Sequence, residues 1–266
     1  MDVDELIRCE VDGGIARVTI DAPDKGNSLT AEMRDRLGDR FLELSEDLRV
    51  RVVVRPGAGD RHFCTGAALG GPQRPMPPGP EGAPERGPGE VSRMIRTGWQ
   101  RVIASILDCE KPVIAAVNGT AAGGGAQLAI ACDLVVMADT AKFIEVFVRR
   151  GIMPDPGGCY LLPRLGGPPP AEELMVPGGD RPAPAADRIG LANRVVPAAD
   201  LDATVDELAQ KFLALPTQAI AMTKRLANRS FESSREQSVE DESQFQELIT
   251  HTADMQERID AFAQRR

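Results

Sequence analysis

Residues 112–117 read Pro-Val-Ile-Ala-Ala-Val, a strand-length run without one polar side chain, closed by the turn pair Asn118-Gly119. A strand with one wet face alternates polar and apolar residues. One that is apolar throughout has to be covered on both faces, the setting of a parallel sheet flanked by helices. The short runs Arg51–Arg55 (Arg-Val-Val-Val-Arg) and Asp133–Ala138 (Asp-Leu-Val-Val-Met-Ala) fit the same sheet, and Ile15–Ile20 alternates as a further strand. Met33, Leu37, Phe41, Leu44 and Leu48 recur at helical spacing behind a Thr30 cap, which predicts a helix over 31–48. Val91, Ile95, Val102 and Ile106 predict another over 91–108. From Asp200 onward every apolar pattern is helical. The chain is therefore expected to fold as an α/β core over residues 1–198 followed by a helical region over 199–266.

Charge and composition remove several functions. The 266 residues carry 31 Lys+Arg against 40 Asp+Glu, a net charge of −9, with no basic block, so nucleic acid is a poor partner. No run is long and apolar enough to cross a membrane, and the acidic first residues do not resemble a secretion signal. Five widely spaced cysteines without a C-x-x-C pair read as reduced thiols of a cytoplasmic protein, mostly buried. Two histidines, His62 and His251, cannot build a His-rich metal site, and no metal is expected. Residues 72–90 hold seven prolines and four glycines and read as a surface loop; 166–184 is a second Pro/Gly-rich stretch.

Two glycine turns follow apolar strands: Cys64-Thr-Gly-Ala-Ala-Leu and Gly123-Gly-Gly-Ala-Gln. Amides at such turns are free donors, and glycine lets a ligand oxygen approach. Two adjacent turns could present two N–H groups to one oxygen, the geometry of an oxyanion hole; tight packing at strand-to-helix turns is the alternative. The triple glycine is neither a dinucleotide fingerprint nor a phosphate loop.

Taken together, the motifs resemble the crotonase superfamily, the enoyl-CoA hydratases and isomerases. The matching pieces are Lys25-Gly-Asn-Ser-Leu, Arg61-His-Phe-Cys-Thr-Gly-Ala-Ala-Leu, the run from Lys111 through Gly123-Gly-Gly-Ala-Gln-Leu-Ala, Ala131-Cys-Asp-Leu and Ala141-Lys-Phe. Gly151-Ile-Met-Pro-Asp-Pro-Gly-Gly, Leu162-Pro-Arg-Leu-Gly and Arg188-Ile-Gly-Leu-Ala-Asn-Arg-Val-Val-Pro complete the order. The resemblance implies a spiral of β-β-α turns with C-terminal helices, assembled as a homotrimer or a dimer of trimers. It implies an acyl-CoA thioester substrate, with coenzyme A part of the substrate and no separate cofactor. The thioester oxygen would be held by the amides of Ala67 and Gly124, a donor of that kind being worth about 3–4 kcal/mol to a developing oxyanion. Lys25, Ser28, Leu29, Thr65, Ala68, Leu69, Gly123, Gln127 and Phe147 would border the substrate.

The resemblance also marks departures. A hydratase carries two glutamates, one just after the triple-glycine motif and one before the Gly-x-x-Pro turn. Here those positions hold Gln127 and Phe147, neither of which can act as a general base. The family's Gly-Ala-Asp-Leu is Gly66-Ala67-Ala68-Leu69. Asp155, in Met153-Pro-Asp-Pro-Gly-Gly, stands where the phenylacetate-type isomerases place a catalytic aspartate, although by itself the segment is a turn signature. A single carboxyl there suffices to move a double bond from 3-enoyl to 2-enoyl. Glu145 is a rival base, with a solvated charge as the plainer reading. His62 and Cys64 read as a buried, hydrogen-bonded histidine and a small core thiol. A hydratase using another carboxylate, or a non-catalytic acyl-CoA binder, remain the alternatives.

Overall fold

A computed structural model describes residues 2–69, 82 and 89–264. Ten strands are present among the described residues: β1 Ile7–Asp12, β2 Ile15–Ile20, β3 Val52–Pro56, β4 His62–Cys64, β5 Val113–Val117, β6 Thr120–Ala122, β7 Leu134–Ala138, β8 Lys142–Ile144, β9 Asp180–Pro182 and β10 Arg194–Val196. They form two sheets. The larger runs β1-β2-β3-β5-β7-β10 and is parallel except for the β1–β2 hairpin; the smaller runs β4-β6-β8-β9, with only β9 antiparallel. From β3 to β8 the chain alternates between the sheets, one strand to each per winding. That alternation is the expected β-β-α spiral.

The all-apolar run is β5, at the centre of the larger sheet and buried at every position. The Ala31–Glu46 helix buries Met33, Leu37, Phe41 and Leu44 and packs on the Arg101–Leu107 helix. It stops two residues before Leu48, which is 92% exposed. The predicted 91–108 helix is instead Glu90–Ile95, a widened π turn over Arg96–Gln100, and Arg101–Leu107. A π turn holds one residue more than an α turn and rotates the residues after it by about 100°. Val91 is therefore exposed while Val102 and Ile106 are buried. The 72–90 loop lies outside the described residues except for Gly82, Gly89 and Glu90. The 166–184 stretch holds more order than its composition suggests: Pro168–Pro170 occupy the first turn of a helix ending at Met175, where the missing N–H groups cost nothing.

Beyond residue 200, the Leu201–Leu213 helix buries Leu201, Val205, Leu208 and Ala209 against β3, β5 and β7. The Thr217–Arg229 helix is pinned by Lys224, whose buried ammonium donates to Asp133 Oδ2 (2.7 Å) and to the carbonyls of Ile106 (3.0 Å) and Lys111 (3.3 Å). All five cysteines are free thiols: Cys64, Cys109 and Cys132 are buried, Cys9 half-buried and Cys159 exposed. No described helix is long and apolar enough to span a membrane.

Another buried cation has no such partners among the described residues. Arg55, in β3, is fully buried with its guanidinium 4.0 Å from the Phe63 ring centroid, and none of its three nitrogens has a hydrogen-bond partner among the described residues. The ring recovers only part of the hydration lost by a buried charge. Arg55→Leu is accordingly expected to stabilise the fold by about 1–4 kcal/mol, read as a higher urea midpoint; a lower midpoint would show that the charge has a partner.

Candidate active site

Because β4, β6 and β8 are parallel, their carboxyl ends lie on one edge of the smaller sheet, with Cys64 paired to Ala121 and Ala122 to Ile144. The residues that leave those ends are thereby gathered: Thr65–Leu69, Gly123–Gln127 and Glu145–Phe147. Ligands characteristically sit at the carboxyl ends of parallel strands.

The first turn is held by the Lys25–Leu29 segment. Leu29 N–H donates to Gly66 O (2.8 Å), Ala68 N–H donates to Leu29 O (2.9 Å), and Thr65 donates to Gly26 O through its N–H (3.1 Å) and its hydroxyl (3.0 Å). In this parallel bridge between Leu29 and Ala67, the Ala67 N–H faces away from Leu29. It has no backbone acceptor among the described residues. Ala67, Ala68 and Leu69 are exposed, Ser28 and Thr65 half-buried, Leu29 buried and Lys25 exposed. Asn27 is fully buried at φ +52°; its Nδ2 donates to Ala58 O (2.9 Å) and His62 O (2.6 Å), and its Oδ1 accepts from Ala22 N–H (3.0 Å). His62 is half-buried with Nδ1 unpartnered among the described residues, not the satisfied core histidine expected, whereas Cys64 is fully buried.

The second turn opens the Gly124–Ile130 helix. Gly123 has φ +53° and ψ −124°, a conformation that a side chain would strain. Its N–H donates to Ile144 O (2.9 Å). Gly124 begins the helix, where backbone N–H groups have no intrahelical acceptor. A methyl group placed on Gly66 would lie 3.0 Å from the Gly124 nitrogen, so the two turns are in contact. One placed on Gly124 would land on the Trp99 ring, and one on Gly125 on the Cys64 carbonyl oxygen. These glycines are dictated by close approach.

Gln127 and Glu145 meet behind the second turn. Both are fully buried, and Gln127 Nε2 donates to Glu145 Oε1 at 2.5 Å. Burial pushes the Glu145 carboxyl up to about 8, outweighing the opposing hydrogen bond from Gln127. The expectation of a solvated Glu145 is thus overturned. Ala141, Phe143, Glu145 and Phe147 are all buried along β8 and its extension, while Lys142 is exposed and Ile144 and Val146 are half-buried, so the period of two carries Glu145 inward. Phe147 follows on that face, with its Cζ 3.8 Å from where a Gly123 side chain would begin.

Asp155 is half-buried in the turn before the Gly158–Gly166 helix. Its carbonyl accepts from Gln100 Nε2 (3.1 Å), linking it to the helical segment that carries Trp99. Three residues on, Gly158 packs so closely that a side chain there would meet Gln127 Nε2 at 3.0 Å. Burial raises the Asp155 carboxyl above the ordinary aspartate range, opposed by its own backbone N–H.

The model of the enoyl-CoA hydratase/isomerase family matches residues 10–266. The chain belongs to that family. It is 32% identical to the 1,2-epoxyphenylacetyl-CoA isomerase of Escherichia coli, over 98% of this chain and 97% of the relative. It is 35% identical to the carnitinyl-CoA dehydratase of the same species, over 84% and 80%. Its fold superimposes on the crystal structure of an enoyl-CoA hydratase from Bacillus anthracis with a TM-score of 0.87 at 27% identity, covering 98% and 97% of the two chains. This enzyme family thus contains isomerases, hydratases and a dehydratase on one scaffold, and the acid–base residues have to separate them. Two residues near the turns were not legible as such: Asn27 stood unmarked inside a matching motif, and Trp99 needed the π turn to be placed. Glu145 is legible as a rival base, but its burial is signalled only by the alternation of Ala141-Lys-Phe-Ile-Glu-Val-Phe.

Proposed function

We propose that this family member is a cofactor-free isomerase that converts a 3-enoyl-CoA to the conjugated 2-enoyl-CoA, with Asp155 as its acid and base. The thioester oxygen accepts from the Ala67 and Gly124 amides. The Asp155 carboxylate takes a proton from C2, the electron pair spreads through the enolate to C4, and the new carboxylic acid returns that proton to C4. Phe147 screens the carbons from water. Lys25, Ser28, Leu29, Thr65, Ala68, Leu69, Gly123 and Gln127 border the substrate.

The observation that carries this reading is the exchange of polar groups around the turns: an amide and a phenyl ring stand at the two hydratase positions, and a half-buried carboxyl with raised affinity for its proton stands at Asp155. The test is the rise in conjugated-thioester absorbance when purified protein meets 3-hexenoyl-CoA; no rise with a series of 3-enoyl-CoAs overturns it. A hydratase reading is favoured by one observation, the buried Glu145 against Gln127. It would be seen as loss of that absorbance from a 2-enoyl-CoA, with a 3-hydroxyacyl-CoA as product. We further propose a homotrimer or dimer of trimers, in keeping with exposed Leu248 and Phe262 in the terminal helices and exposed Phe231 in the turn before them; light scattering reads it directly.

A further inference from the structure

Among the described residues, the buried Glu145 carboxyl has no counter-charge. Its Oε2 and the Gln127 Oε1 both lack a hydrogen-bond partner among the described residues, although the two side chains already touch through Nε2 and Oε1. Two acceptor oxygens cannot satisfy each other, and each orphan is costly in a dry site. A proton on Oε2 turns one of them into a donor, matched to the remaining acceptor. The surroundings favour that proton. The Gly124–Ile130 helix contains no titratable residue. The segment alongside β8 brings Arg181, opposite Phe143 on the face of Glu145 and paired with Glu173 at 2.8 Å, and Asp180, exposed and paired with Arg149 at 3.7 Å; the Arg149 side chain reaches Gly178, which adjoins the Glu145 backbone carbonyl. The Gly158–Gly166 helix brings exposed Cys159, Arg164, and Tyr160 bonded to Glu232. The turn before that helix brings Asp155, a group of like sign.

We propose that Glu145 is a positioning residue held as a neutral carboxylic acid, which forms a two-point acid–amide pair with Gln127 and so fixes that amide beside the glycine turn. Ionised, Glu145 can only accept. It would lose one of the two bonds and place a negative charge behind the site where the enolate's own charge develops. Turnover then falls on the alkaline side as Glu145 loses its proton, while the acidic limb belongs to Asp155.

The functional readout builds on the isomerase reading; the spectroscopic one does not. Glu145→Gln presents the same donor and acceptor without a titrating proton, whereas Glu145→Ala presents neither. Glu145→Ala is expected to lower kcat/KM about tenfold. Glu145→Gln should restore most of that loss and abolish the alkaline limb near pH 8 while keeping the acidic one. A Glu145→Gln enzyme as inactive as Asp155→Asn, or with the alkaline limb unmoved, overturns the proposal. If no 3-enoyl-CoA is turned over, the isomerase reading falls and infrared spectroscopy decides on Glu145. The C=O stretch of a protonated carboxyl should be present at pH 7 in the parent, vanish on alkalinisation, and be missing from Glu145→Gln; identical spectra overturn it. Denaturation adds a check that needs no substrate. The folded carboxyl keeps its proton up to about 8, while the unfolded one releases it near 4.5, so stability declines as pH rises through that window. Glu145→Gln should flatten the decline.

Discussion

Asp155→Asn is expected to reduce kcat for a 3-enoyl-CoA about 10²–10⁴-fold with little change in KM, the usual range for losing a positioned general base. The substitution isolates the chemistry. The contacts that hold the segment use the Asp155 backbone: its N–H donates to Met153 O at 2.8 Å, and its carbonyl accepts from Gln100 at 3.1 Å. Asparagine keeps both and fits the turn equally well. It removes only the ability to take up and return a proton. The pH profile gives an independent sign. The productive form at the start of the cycle is the carboxylate, so the rate should climb with pH through the Asp155 pKa, and burial places that climb above the ordinary aspartate range. An Asp155→Asn protein that turns over at the parent rate would exclude this residue as the base.

The largest structural effect is expected from replacing one hydrogen atom by a methyl group, in Gly125→Ala. A methyl group at this position would fall on the Cys64 carbonyl oxygen, backbone on backbone, so no rotamer can relieve the overlap. Either the Gly124–Ile130 helix lifts off β4 or the fold fails, with a cost of about 4 kcal/mol or more. Urea unfolding followed by circular dichroism measures it. Gly13→Ala is the control. Gly13 has φ +54° with nothing within 4 Å of where a side chain would begin, so only backbone strain of about 1–2 kcal/mol is expected there. Equal effects at the two sites would mean that the two turns are in looser contact than these distances require.

Much of this arrangement was legible because it depends on residue types that admit few conformations. The glycines at 66, 123, 124 and 125 announce a close approach wherever they fall, and the unbroken apolar run of β5 requires cover on both faces. The Ala31–Glu46 helix declared itself through spacing and a Thr30 cap. The features that escaped reading depended on phase or on partners distant in sequence. The π turn at Arg96–Gln100 changes which face of the following residues is buried, and no composition signals it. Glu145 looked like a surface charge because a carboxylate costs much to bury; only the residues on either side, Phe143 and Phe147, indicate its direction. Arg55 escaped for the same reason, lying at the end of a strand where an arginine would ordinarily reach water.

The alternation of strands between two sheets has a kinetic consequence. Gly66, Gly124 and Glu145 are delivered by three successive windings, and between them β5 and β7 must already have been inserted into the other sheet. No fragment ending before β8 holds all three, and none can acquire them by local collapse. Recovery of turnover during refolding should therefore lag behind the return of helical signal, and the last winding to dock should set its rate.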